Sequence, residues 1–130
     1  MKTIGIDHVV LRVYDIEKMA RFYSSVLGCA VERLRDELGM VHLRAGASLI
    51  DLVAVDGKLG RKGGRGPGAE GHNMDHLCLR IAGFDAQRIR QELEDSGIAI
   101  GEEGVRYGSS GMAASIYLRD PEGNGLELRS

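Results

Sequence analysis

Apolar and polar side chains alternate over residues 8–13. Val9, Leu11 and Val13 fall on one side of an extended strand, and His8, Val10 and Arg12 on the other. After Asp15 the period changes. Met19, Phe22, Tyr23, Val26 and Leu27 recur at helical spacing before Gly28, which predicts an amphipathic helix with an Asp N-cap and a Gly stop. Alternation returns near 30–35, 40–44 and 48–55, predicting three more strands. The same order is then written a second time. GIDHVVLRV at 5–13 and NMDHLCLRI at 73–81 coincide at Asp7/Asp75, His8/His76, Leu11/Leu79 and Arg12/Arg80. Asp85, Ile89, Leu93 and Gly97 outline a thinner copy of the helix, followed by strand-like segments near 98–100, 104–107, 113–119 and 125–129. Each half reads β-α-β-β-β. The pattern predicts an α+β fold of two tandem modules, residues 1–56 and 73–130, within a single domain over 1–130.

Between the modules, residues 57–72 hold seven Gly, four basic residues and one Pro, a composition that disfavours both helix and strand. Gly66, Gly68 and Gly71 spell GxGxxG, but a dinucleotide site needs a strand directly before and a helix directly after, and neither is predicted. Two readings stay open. One is a flexible linker; the other is a mobile lid whose Lys58, Arg61, Lys62 and Arg65 meet an anionic ligand.

Composition narrows the function classes. A length of 130 residues allows one domain or two half-size modules sharing a core. Seventeen Lys+Arg against nineteen Asp+Glu give a net charge of −2, which argues against a dedicated nucleic-acid binder. No apolar run reaches the ~20 residues that span a bilayer, and no secretory signal opens the chain. The expectation is a cytoplasmic protein with no membrane partner. Cys29 and Cys78 share no CxxC-type spacing.

The polar sides of the predicted strands carry the candidate chemistry. His8 and His76 occupy equivalent places, as do Asp51 (between Ile50 and Leu52) and Glu127 (between Leu126 and Leu128). His42 and Arg44 share that side of 40–44, and Ser115, Tyr117 and Arg119 that of 113–119. Imidazoles and carboxylates placed pairwise by a repeat form a donor set for one divalent metal ion of the Zn, Ni, Mn, Co or Fe type. No short signature such as HExxH accompanies them. Cys78 reads as a small buried apolar residue in preference to a nucleophile.

With DHVVLRV and MDHLCLRI each opening a module and IYLRDPEGNGLELR closing the chain, the sequence resembles the vicinal oxygen chelate superfamily. That group includes glyoxalase I, methylmalonyl-CoA epimerase, extradiol dioxygenases, fosfomycin-resistance thiol transferases and bleomycin-binding proteins. The resemblance implies paired βαβββ modules, each curling its sheet into half of an open barrel around a metal. It implies His8, His76 and Glu127 as metal ligands. Glyoxalase I and the epimerase use a fourth ligand, Glu or Gln, at the place of Asp51, whose side chain is shorter. Direct ligation by Asp51, a hold on bound water, a base, and an ion pair with an arginine such as Arg44 all stay open.

The activity implied is a metal-dependent lyase or isomerase of glyoxalase type, acting on a small-molecule substrate with vicinal oxygens. Asp51, His42 or Tyr117 would handle protons, with Glu127 also in the catalytic set. The alternatives are a ring-cleaving dioxygenase and a non-catalytic drug- or metabolite-binding protein. The resemblance also implies a homodimer, with or without modules exchanged so that one chain supplies His8 and the other His76 and Glu127. Asp120–Asn124 reads as a structural turn, and Tyr107 with Gly108–Gly111 as a substrate-side loop.

Overall fold

In a computed structural model that describes residues 1–130, the chain divides into two compact units, Met1–Asn73 and Met74–Ser130. In the first, β1 (His8–Val13) leads into α1 (Ile16–Arg21), which widens into a π-helical turn over Phe22–Val26. The strands β2 (Ala30–Arg35), β3 (Met40–Ala45) and β4 (Ser48–Ala54) follow. The sheet order is β1-β4-β3-β2, with β1 parallel to β4 and the other pairs antiparallel. The second unit repeats this with β5 (His76–Arg80), α2 (Ala86–Asp95), β6 (Ile100–Gly108), β7 (Gly111–Arg119) and β8 (Gly125–Arg129), in the order β5-β8-β7-β6.

The helices begin where the pattern places them. Asp15 accepts the Lys18 amide at 2.9 Å and Asp85 the Arg88 amide at 2.9 Å, each satisfying an amide that the first helical turn leaves unpaired. Gly28 and Gly97 end the helical segments at φ 70° and 71°, a left-handed conformation that glycine adopts without steric cost. One sheet face of each unit is apolar. Leu11, Val13, Met19, Tyr23, Leu43, Ile50 and Leu52 are buried in the first, and Ile89, Leu93, Ile116, Leu118, Leu126 and Leu128 in the second. Leu126 is fully buried, so Leu126→Ala is expected to lower the unfolding free energy by ~2–5 kcal/mol. Chemical denaturation beside wild type checks this.

Ile100 and the segment 104–107, read as parts of separate strands, lie in one strand, β6, which Ile98 and Ala99 precede, with a register shift between Ile100 and Glu103. Gly101 and Gly104 made the sequence look broken. Inside a sheet such glycines mark a bulge or a close approach, and a Cβ on Gly101 would lie 3.1 Å from the Tyr117 carbonyl oxygen.

Residues 57–72 belong to the first unit and are fastened to it. They contain a 3-10 turn at Gly60–Gly63 and a single bridge between Gly68 and Gly71. Arg12 Nη1 donates to the carbonyls of Gly63 and Arg65 at 2.9 and 3.0 Å. Its Nη2 donates to those of Gly60 and Gly64 at 3.1 and 2.6 Å. The Tyr14 hydroxyl donates to Pro67 O at 2.8 Å, and Asn73 pairs with the Arg12 backbone through both its amide atoms. A Cβ on Gly63 would stand 2.7 Å from Arg12 Cζ, so glycine is what lets the guanidinium reach the turn. A loop held by these bonds is not a loose linker. GxGxxG within it is followed by a strand, β5, and not by a helix. No helix of the chain is long and apolar enough to cross a membrane.

Candidate metal and proton-transfer site

Strand register places the second unit's polar side chains in rows. His76 lies beside Gly125, and Cys78 beside Glu127, which faces Tyr117 on β7. Glu127 is buried. Its Oε1 accepts from Ser115 Oγ at 2.5 Å, and its Oε2 stands 3.4 Å from His76 Nε2. His76 Nδ1 is held by Asp75 Oδ1 at 2.6 Å. A carboxylate accepts, so Nδ1 donates to Asp75, and Nε2 is the nitrogen turned to Glu127. Burial raises the Glu127 pKa, but hydrogen bonds from Ser115, Tyr117 and Cys78 and the charge of His76 outweigh it, leaving a net lowering. Burial, with Glu127 as the next cause, raises the Tyr117 pKa.

Cys78 corrects its sequence reading. It is exposed, not buried. Burial of its thiol atoms, followed by the Glu127 charge, still pushes its pKa up to about 11. It therefore remains a thiol at neutral pH and a poor nucleophile.

In the first unit Asp51 and His42 are register partners across β4 and β3. His42 Nδ1 donates to Asp51 Oδ1 at 2.6 Å, with the carboxylate buried and the imidazole part-buried. The other candidate partner of Asp51, Arg44, is engaged elsewhere. It binds Glu32 through Nε and Nη2 at 2.6 and 2.8 Å. His8 repeats the arrangement of His76, with Nδ1 at 2.7 Å from Asp7 Oδ1. Its pKa is raised, chiefly by that hydrogen bond against a smaller effect of burial, with the charge of Asp51 adding to it.

The structure thus brings His76, Glu127 and Tyr117 together in one unit, and His42 with Asp51 in the other. His8 stands in the first unit with Asp7. Within neither unit do three His, Cys, Asp or Glu side chains converge to hold a metal alone. What the second unit offers is half of a donor set: an imidazole Nε2 and a lowered carboxylate facing each other. This suits a divalent ion that takes its remaining donors from elsewhere.

Three residues at the site have roles that alternation alone does not reveal. Asp7 and Asp75 orient the two histidines, and Ser115 orients Glu127. The signal for the first two was present, because Asp-His is repeated in both copies. Partners that fix a ligating imidazole typically matter ~10–100-fold in metal affinity. Asp7→Asn with Asp75→Asn is therefore expected to weaken divalent-metal binding by ~10–100-fold, read by metal titration. Exposure of both aspartates favours the lower end. Asp120 is a buried turn residue accepting from the amides of Glu122 and Asn124 and from Asn124 Nδ2. Tyr107 lies at the tip of the β6–β7 hairpin, 83% exposed.

Two tandem β-α-β-β-β units with repeated histidines define a class, and comparison bears this out. Residues 5–128 match the family model of the Glyoxalase/Bleomycin resistance protein/Dioxygenase superfamily, and the chain belongs to that superfamily. Among individual proteins, it is similar to Virulence protein STM3117 of Salmonella typhimurium, 36% identical over 126 residues, covering 95% of this chain and 81% of the relative. The crystal structure of that protein superposes with a TM-score of 0.81 at 32% identity, covering 99% of this chain and 98% of the other. The glyoxalase domain-containing protein RDO1 of Mycosarcoma maydis is 31% identical over 128 residues, covering 97% of this chain and 68% of that protein. The lactoylglutathione lyase of Agrobacterium tumefaciens shares the fold at a TM-score of 0.71 and 18% identity, with 99% and 93% coverage.

Proposed function

We propose that this protein is a divalent-metal-dependent enzyme of glyoxalase-like lyase or isomerase type, acting on a small metabolite with vicinal oxygens. The observation that carries the reading is the His76–Glu127 pair, 3.4 Å apart, with the imidazole's far nitrogen tied to Asp75 and its near nitrogen turned to the carboxylate. His8, prepared in the same way by Asp7, is the third ligand. A divalent cation held by these groups supplies Lewis-acid stabilisation of negative charge developing on substrate oxygens. The chain's own part is proton handling. Asp51 holds the Nδ1 hydrogen of His42, which leaves Nε2 to accept a substrate proton and return it. Asp51 is thus a positioning residue acting through His42, in place of a fourth ligand. Tyr117, kept protonated by its raised pKa, donates to Glu127 and fixes that carboxylate.

The protein works as a homodimer in this reading, since β2, β5 and β6 lie at sheet edges, which folded proteins seldom leave uncovered. The test is metal analysis of protein purified without chelators or an imidazole column. About one divalent ion per chain is expected. Zn or Ni fits a lyase or isomerase, Fe would redirect the reading to a dioxygenase, and no metal uptake at all would leave a binding protein. Mixing His8→Ala chains with Glu127→Ala chains then locates the donors. Metal sites restored in the mixture mean that one chain supplies His8 and its partner the other two.

A further inference from the structure

The second unit's polar face carries a feature that metal binding does not use. Arg129 follows Glu127 by two residues on β8, on the same side of the strand, and is only 4% exposed. Its Nη2 donates to the carbonyls of Gly111 and Arg106 at 2.7 and 3.5 Å, while its buried Nε has no acceptor. No carboxylate pairs with it, although a guanidinium stays charged at any physiological pH. A charge removed from water without a counter-ion is costly.

Its surroundings are shaped to receive it. Gly104, Arg106 and Gly108 are alternate residues of β6, on the side where β7 carries Ala113 and Ser115. A Cβ on Gly108 would overlap Arg129 Nη1, and one on Gly104 would overlap Arg106 Nη1. Both guanidinium groups therefore lie on bare backbone of one strand face. Arg106 Cζ sits 5.7 Å from the centre of the Tyr117 ring. Its only carboxylate, Glu102, is a long 3.4 Å away and 84% exposed, which is a weak pair.

We propose that Arg129, with Arg106, forms a subsite for an oxyanion, a carboxylate or phosphoryl-type group carried by the substrate whose reacting oxygens bind at Glu127 and His76. The proposal rests on the functional reading above and adds the substrate's class. The guanidinium fork matches the paired oxygens of such groups, and a bound oxyanion supplies the missing negative charge. Positions 127 and 129 are ~7 Å apart along the strand, so the anionic group and the reacting oxygens belong to one small molecule.

The experiment uses metal-free protein, dialysed against chelator, titrated with inorganic phosphate and with malonate against chloride at constant ionic strength. The thermal midpoint is expected to rise saturably with at least one of the two anions, since a ligand bound only by the folded state stabilises it. A larger response to malonate assigns a carboxylate, and a larger one to phosphate a phosphoryl group. Arg129→Met is expected to weaken the response ~10-fold or more. Gly108→Ala is the second variant. It keeps the charge, but its Cβ would overlap Arg129 Nη1 and displace the guanidinium, and it is expected to weaken the response comparably. No saturable difference from chloride in wild type, or an undiminished response in Gly108→Ala, would overturn the proposal. Failure of the metal reading would appear as absent metal uptake, a property this titration of metal-free protein does not touch.

Discussion

Glu127→Gln is expected to lose divalent metal by more than the ~10–100-fold that partners of a metal ligand contribute. The carboxylate is buried and already lowered in pKa by Ser115, Tyr117 and Cys78, so it meets a cation deprotonated and oriented. Gln keeps the shape and most of the hydrogen bonds but removes the anionic oxygen that a divalent ion requires. Titration of metal-free wild type and variant with zinc or nickel provides the measurement, and equal affinities would remove Glu127 from the ligand set. The metal-free protein offers a second readout. A carboxyl with a depressed folded-state pKa contributes stability that is present above its unfolded value and lost as pH falls through its folded value. Wild type should therefore lose stability relative to Glu127→Gln as the pH drops below the ordinary carboxylate range.

Asp51→Asn should leave metal affinity near that of wild type while lowering turnover by ~10²–10⁴-fold, the usual worth of a positioned acid–base group. The distances carry this expectation. Asp51 Oδ1 lies 2.6 Å from His42 Nδ1, and that bond fixes which imidazole nitrogen holds the hydrogen. An Asn amide can present its NH₂ to Nδ1 instead, favouring the opposite tautomer. If the two residues act as one unit, Asp51→Asn combined with His42→Asn should cost about as much as either change alone. A fall in metal affinity matching that of Glu127→Gln would instead make Asp51 a direct ligand. A fall in melting temperature alone would reduce the pair to a structural contact.

Much of this arrangement was legible in the sequence, because a repeat states its own symmetry. Asp7-His8 and Asp75-His76 marked equivalent strands, and period-two alternation sorted His42, Asp51, Tyr117 and Glu127 onto polar faces. The Asp15 and Asp85 caps were readable for the same reason: local hydrogen bonding needs only local residues. The misreadings have a common physical origin. Gly101 and Gly104 looked like breaks in a strand, whereas Gly101 answers the Tyr117 carbonyl from across the sheet and Gly104 the Arg106 guanidinium of its own strand, contacts visible only in three dimensions. The glycine-rich connection looked loose because composition does not reveal that Arg12, some 50 residues away, donates to four of its carbonyls. Whether Asp51 meets Arg44 or His42 depends on χ angles and on Glu32 capturing Arg44 first. Alternation cannot decide that.

The two separate hydrogen-bond ladders have a consequence for how the chain reaches its native state. Every strand pairs within its own half: β1 with β4 inside His8–Ala54, and β5 with β8 inside His76–Arg129. The longest-range pairing therefore closes a loop of less than half the chain, and the entropy of closure is met twice locally instead of once across the whole length. Each half can nucleate on its own helix and hairpins while the other is still unstructured, as shorter-range contacts favour faster folding. On a ribosome, where the N-terminal half emerges first, β1 finds β4 before the chain's last strand has been synthesised.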